Sequence, residues 1–194
     1  MSMAKTITAL LLGIAMQDGH IRATEDTAET YATVLRGSEF GRTPIKALLQ
    51  MSSGIQFRHS VTEEDLATED TAILNRIRNQ NIADAVLHFN ERIAPPGTRF
   101  NYTSADNLVL GLVLAAATRR TIADYAREKL WEPLGPEAKA IWQIDRTGQE
   151  MTACCFALSS AWPRTAALLQ AIAKTWEEEA KRVDIEAAQR RMRS

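Results

Sequence analysis

The sequence predicts a mainly α chain with a few short strands, and three observations carry that reading. Apolar residues recur at three- and four-residue steps in residues 2–17, 105–117 and 121–130, the spacing of one buried helix face. Strand-like runs are confined to Ala140–Ile144 and Met151–Leu158, on either side of Thr147-Gly148. Glycine and proline pairs, above all Pro95-Pro96-Gly97 and Pro133-Leu134-Gly135-Pro136, fall between these runs as turn signals.

Taken in order, the first helix runs from Ser2 to Gln17, with Ile7, Leu10, Leu11 and Ile14 facing inward. Gly19 closes it in the left-handed conformation open to glycine. Thr24 to Thr30 is polar and reads as a surface connection. Thr43 as N-cap and Pro44 at the first helical position start a short helix that Ser52-Ser53-Gly54 ends. Ser60 to Asp70 holds five acidic residues and no basic one, a solvated loop and helix start. Residues 71–91 follow a helical pattern up to the Pro95 turn. Ala105 to Ala117 is strongly apolar, as suits a helix packed on several sides. A helix over Thr121–Leu130 stops before Pro133. From about Ser160 the composition shifts to a charged helix former with i,i+4 pairs such as Glu177–Lys181. The division is therefore a domain over 1–160 and a helical charged tail over 161–194.

Bulk properties remove several function classes. A chain of 194 residues can bury roughly 70% of its unfolded surface, enough for a real core. Net charge is −1 and no basic block lies beside aromatics, so there is no footprint for nucleic acid. The apolar run Ile7–Met16 is too short to span a membrane, which takes about 20 residues. It could serve instead as an export signal, which would remove the first 15 residues. Cys154 and Cys155 are adjacent, too close for an ordinary bridge, and read as small buried side chains in a reducing, cytoplasmic setting.

Two short patterns could carry chemistry. Ser2-Met3-Ala4-Lys5 places a hydroxyl and an amine on one helix face, with the hydroxyl at the positive end of the dipole. A serine is a weak nucleophile until a neighbouring base takes its proton, and a desolvated lysine is suited to that. Read blandly, the same residues are an N-capping serine and a solvated lysine. Tyr102-Thr103-Ser104 lies 100 positions after Ser2. A tyrosine beside an ammonium group can relay protons as general base and acid, or it can simply be a core tyrosine before a helix capped by Ser104 or Asp106. His20, His59 and His88 have no acid and nucleophile beside them in sequence.

Taken together, these patterns resemble the serine β-lactamase and penicillin-binding-protein family. Ser2-x-x-Lys5 heads an apolar helix ending in Asp18-Gly19, and Leu48-Leu49-Gln50-Met51-Ser52-Ser53-Gly54 resembles a stretch of class C β-lactamases. Pro96-Gly97-Thr98-Arg99-Phe100-x-Tyr102-x-Ser104 looks like the family's tyrosine motif, and Trp131-x-Pro133-Leu134-Gly135 like its following marker. Ser104, Trp142-Gln143-Ile144-Asp145 and the segment 150–155 bring the chain nearest the 6-aminohexanoate-dimer hydrolase and carboxylesterase branch. The resemblance implies an incomplete β-lactamase/transpeptidase-like α+β fold. It also implies an acyl-enzyme mechanism on a small amide or ester, with no metal or organic cofactor. Ser2 would be acylated, Lys5 and Tyr102 would manage protons, and Ser104 would line the substrate. The family's third motif, Lys-Thr-Gly or His-x-Gly, has no counterpart here. Arg146-Thr147-Gly148 stands in the wrong order, and Lys174-Thr175-Trp176 has a tryptophan where glycine is needed. The chain is accordingly expected to be truncated at both ends and inactive alone. The alternative is a non-catalytic helical interaction protein.

Overall fold

A computed structural model of the chain describes residues 3–57, 69–135 and 140–157. Ser2, His59, most of the acidic stretch at 60–70 and the tail from 161 lie outside the described residues. One compact unit comprises 1–135 with 141–156, and a second comprises 136–140 with 157–194. All the described helices belong to the first unit.

Helix α1 (Met3–Gln17) buries Ala4, Ile7, Thr8, Leu11, Leu12 and Ala15. The buried stripe is wider than the predicted one and shifted, leaving Leu10 and Ile14 at its half-buried edge. Thr8 is tolerated inside because its hydroxyl donates to the Ala4 carbonyl at 2.8 Å. Gly19 ends the helix at φ 78°, as its sequence position requires. The segment after it is more than a surface connection. Ala28 is fully buried, and the amides of Ala28 and Glu29 donate to Thr43 and Gly41 at 3.0 and 2.9 Å.

Helix α2 (Ile45–Leu49) starts one residue later than predicted, with Pro44 as its N-cap. Thr43 does not cap it, because its hydroxyl donates to Glu39 O at 2.8 Å and accepts from Arg92 at 3.0 Å. The helix is closed by Met51 in the left-handed region at φ 51°, not by Gly54. Gly54 serves a different need, since a Cβ there would lie 2.0 Å from the Ala94 carbonyl oxygen.

The helical pattern over 71–91 resolves into two helices, α3 (Glu69–Asn79) and α4 (Ile82–Leu87). Asn81 breaks the run by taking extended backbone and capping α4 through Asp84 N. Helix α5 (Ser104–Thr118) is the centre of the fold. Every residue from Ala105 to Leu114 is buried, and the helix packs against α1, α2, α4 and the helix that begins at Ile122. Each of its leucines and valines contributes roughly 1.5–3 kcal/mol by leaving water. Its cap is Thr103, whose hydroxyl accepts from Ala105 N at 3.0 Å, rather than Ser104 or Asp106.

Helix α6 (Ile122–Ala126), capped by Thr121, does not stop before Pro133. It continues through a π-helical segment, Arg127–Trp131, into α7 (Glu132–Leu134) and ends at Gly135, φ 60°. Proline is accommodated because it stands in the first turn of α7, where a missing amide costs little. Strands β1 (Ile141–Trp142) and β2 (Phe156–Ala157) pair as a two-stranded sheet, shorter than predicted. Between them Ile144 and Glu150 form an antiparallel bridge around the Gly148 turn. Met151–Cys155 then leaves strand geometry, turning at Cys154 N to Met151 O, 3.2 Å. The result is mainly helical with a small sheet, as the sequence predicts.

The cysteines differ from expectation. Cys154 and Cys155 form a disulfide, and Cys155 is exposed rather than buried. Consecutive Cα atoms are 3.8 Å apart, short of the usual disulfide window, so the pairing requires a local turn. The Met151–Cys154 turn and the left-handed Cys155, φ 67°, supply it.

Candidate active site

Lys5 stands on the first turn of α1 and is half-buried, its neighbours Ala4 and Ile7 fixing that face against the core. Its ammonium nitrogen lies 5.2 Å from the centroid of the Tyr102 ring, a cation–π distance. It also donates to the backbone carbonyl of Ala153 at 2.5 Å. Three segments thus meet at this lysine: the start of α1, the loop before α5 and the strap 151–155. Ser2, three residues before Lys5, lies outside the described residues.

The Leu48–Gly54 stretch fixes where Tyr102 sits. Asn101 N donates to Met51 O at 2.7 Å, and its side-chain amide donates to Phe57 O at 2.8 Å. Gly97 N donates to Ser52 O at 2.8 Å. Arg92 reaches Ser53 O at 2.6 Å while its guanidinium also pairs with Glu39. The tyrosine loop is therefore sewn to this stretch through main-chain carbonyls. Ser104 opens α5 two residues after Tyr102 and is half-buried.

The strap is held with equal care. Thr152 Oγ1 donates to Asn107 O at 2.6 Å, and a Cβ on Gly111 would lie 2.6 Å from the Thr152 side chain. The helix needs glycine there so that the strap can cross it. Trp142 Nε1 donates to Met151 O at 2.9 Å.

Sequence reasoning missed two features. The Ala153 carbonyl belongs to the backbone and has no residue signature. Asp106, in the first turn of α5, is fully buried, and neither of its oxygens meets a donor in hydrogen-bond geometry. Burial pushes its pKa up to about 7, although nearby Ser53 pulls the other way. An acidic residue inside an apolar run was its only signal.

The histidines stay apart from Lys5 and Tyr102 among the described residues. His20 is exposed and packs edge-on against Tyr125, while His88 contacts Arg76. Arg146-Thr147-Gly148 forms the hairpin turn, its Thr147 amide and hydroxyl both donating to Asp145 at 2.7 Å. Among the described residues, no helix is long and apolar enough to cross a membrane.

Comparison with known proteins bears on the fold. A Bacillus anthracis protein assigned as a 6-aminohexanoate-dimer hydrolase superposes with TM-score 0.69 at 23% identity, over 80% of this chain and 42% of its own. A penicillin-binding protein from Bacillus halodurans gives TM-score 0.58 at 21% identity, over 73% and 42%. A mutant class C β-lactamase gives 0.54 at 18%, over 76% and 37%. At these identities the likeness is one of fold, and the chain spans about two fifths of the length of these structures. No curated protein matches the sequence. The family pattern described as Beta-lactamase matches residues 1–142, well over half the chain. The chain belongs to the Beta-lactamase family.

Proposed function

We propose that this chain carries the nucleophile-and-tyrosine half of a serine hydrolase acting on a small amide or ester through an acyl-enzyme. The observation that supports it most is Lys5 lying 5.2 Å from the ring of Tyr102, two residues from separate motifs brought to one place. In this reading Ser2 attacks the carbonyl carbon of the substrate, and Lys5 and Tyr102 pass its proton to the leaving group. Ser104, at the mouth of α5, orients the bound substrate. A cytoplasmic location leaves Ser2 and Lys5 in place, whereas export with cleavage after residue 15 would remove both, and the domain over 1–160 carries all four residues.

The test separates acylation from turnover. A fluorophosphonate probe is expected to form an adduct on the peptide holding Ser2, and to lose it in Ser2→Ala. Lys5→Met and Tyr102→Phe should each slow labelling about 100-fold, the usual scale of a proton-transfer group. Turnover of p-nitrophenyl esters by residues 1–194 is expected to be no faster than by Ser2→Ala, since a missing oxyanion donor costs about 10² to 10³ in rate. Equal labelling of Ser2→Ala, or none in either, would overturn the proposal in favour of a non-catalytic helical protein.

A further inference from the structure

A cavity of about 360 Å³ opens beside the Cys154–Cys155 disulfide, apart from Lys5 and Tyr102. Its apolar wall includes Ile77 and Met151, and Arg78 and Arg146 also line it, the Arg146 guanidinium donating to Asn79 O at 3.3 Å. Asp145 also lines it, but its oxygens already accept from Ile82 N, Thr147 N, Thr147 Oγ1 and Gln149 N. Two arginines against the one aspartate leave the lining net positive, and both cysteines form part of it. Cys155 is the exposed member of the pair, and Cys154 is half-buried.

The disulfide closes the end of the strap that positions Lys5. Cys155 O accepts from Gln143 N at 3.1 Å, and one residue before Cys154 the Ala153 carbonyl takes the Lys5 ammonium. Cys155 holds φ 67°, which residues with a Cβ seldom adopt. The eight-membered ring of a vicinal disulfide pins that conformation. Opened, nothing covalent keeps Cys155 left-handed, and the turn leading back to Ala153 is free to relax.

We propose that this cavity receives a small anionic thiol, which opens the Cys154–Cys155 bond by exchange and thereby loosens the strap that holds Lys5. The thiolate sulfur bonds to Cys155 Sγ, and the electron pair of the old bond leaves with Cys154 as a thiolate. A second thiolate attacks the mixed disulfide, releasing Cys155 and a small symmetrical disulfide. Two thiols are oxidised, the protein disulfide is reduced, and the cysteine thiolates take protons from water. None of this requires Ser2 to be a nucleophile.

The experiment compares glutathione, which carries two carboxylates, with cysteamine, which carries an ammonium group, as rate constants per thiolate. On the full chain glutathione should open the bond about tenfold faster, an advantage of electrostatic steering that shrinks with added salt. In Arg78→Gln/Arg146→Gln, whose substitutions lie at exposed positions, the two thiols should differ about twofold or less. After opening, amide exchange at 151–155 should rise several-fold while α5 stays protected. Equal rates for the two thiols on the unsubstituted chain would overturn the docking site. Unchanged exchange at 151–155 would overturn the coupling to Lys5. Immediate alkylation of both cysteines in the air-oxidised chain would overturn the proposal as a whole.

Discussion

Asp106 shows how a single buried carboxyl shapes stability. With no donor in bonding geometry at either oxygen, its charged form is disfavoured inside α5, and its pKa rises from 3.8 to about 7. The folded state therefore holds a proton that the unfolded chain has already given up between those values. The sign follows by linkage: its contribution is full below about pH 4, falls as pH rises toward 7, and is level above that. The loss amounts to a few kcal/mol, on the order of 1.4 per pH unit of difference. Asp106→Asn should flatten this slope, which denaturant titrations at about pH 4.5 and pH 7.5, on either side of most of the change, would measure. A variant whose stability falls as steeply as the parent's would mean that Asp106 is not the group responsible. Such a residue is only half legible in sequence. Spacing marks Lys5 and Tyr102 as candidates, whereas an acid amid leucines looks like an ordinary helix-start charge until its burial is known.

At the level of elements, the 144–150 hairpin supplies acids to two distant helix starts. Asp145 Oδ2 accepts from Ile82 N at 2.8 Å at the start of α4, and Glu150 Oε1 accepts from Ala123 N at 2.8 Å at the start of α6. Each places negative charge against the positive end of a helix. Burial works to raise the Asp145 pKa, but these backbone and hydroxyl donors hold it lowered. Asp145→Ala strands four donors and should cost about 2–4 kcal/mol. Amide exchange should then show α4 opening before α5. The crossing of Gly111 and Thr152 gives a second test. Gly111→Ala sets a methyl 2.6 Å from Thr152 and should cost about 1–3 kcal/mol by overpacking. The penalty should shrink in a Thr152→Ala background, which a double-mutant cycle reads directly. Local signals made α1, α5 and the Thr121 start legible, because periodicity and caps are encoded within a few residues. The break at Asn81 was missed because the residues on both sides are helical in pattern. The run through Pro133 was missed because a π-helical segment lets the next helix restart with proline in its first turn.

For the molecule as a whole, two opposed sets of carboxyls bound the stable range. Arg42 and Arg92 hold Glu39 lowered, while Lys129 and Tyr125 hold Asp18 lowered. Those contributions, with that of Asp145, are present above the ordinary carboxylate range and are lost as pH falls below about 4. Asp106 works from the other side, between about pH 4 and about 7. The melting temperature should accordingly peak in mildly acidic buffer, and Asp106→Asn should broaden that peak toward neutral pH. A maximum at about pH 8 in both proteins would contradict this opposition of carboxyls.

The carbonyl that holds Lys5 has a consequence for how such a site drifts over generations. Exchanging Ala153 leaves the acceptor itself in place, since the oxygen belongs to the main chain, although its buried side chain leaves little room for a larger one. Heredity therefore writes this contact in the route of the strap and not in a letter of the alphabet. A scan of side chains at 153 would report the packing of a buried alanine and not this oxygen. Only an ester in place of the amide between 153 and 154, which weakens that oxygen as an acceptor, would make the position speak.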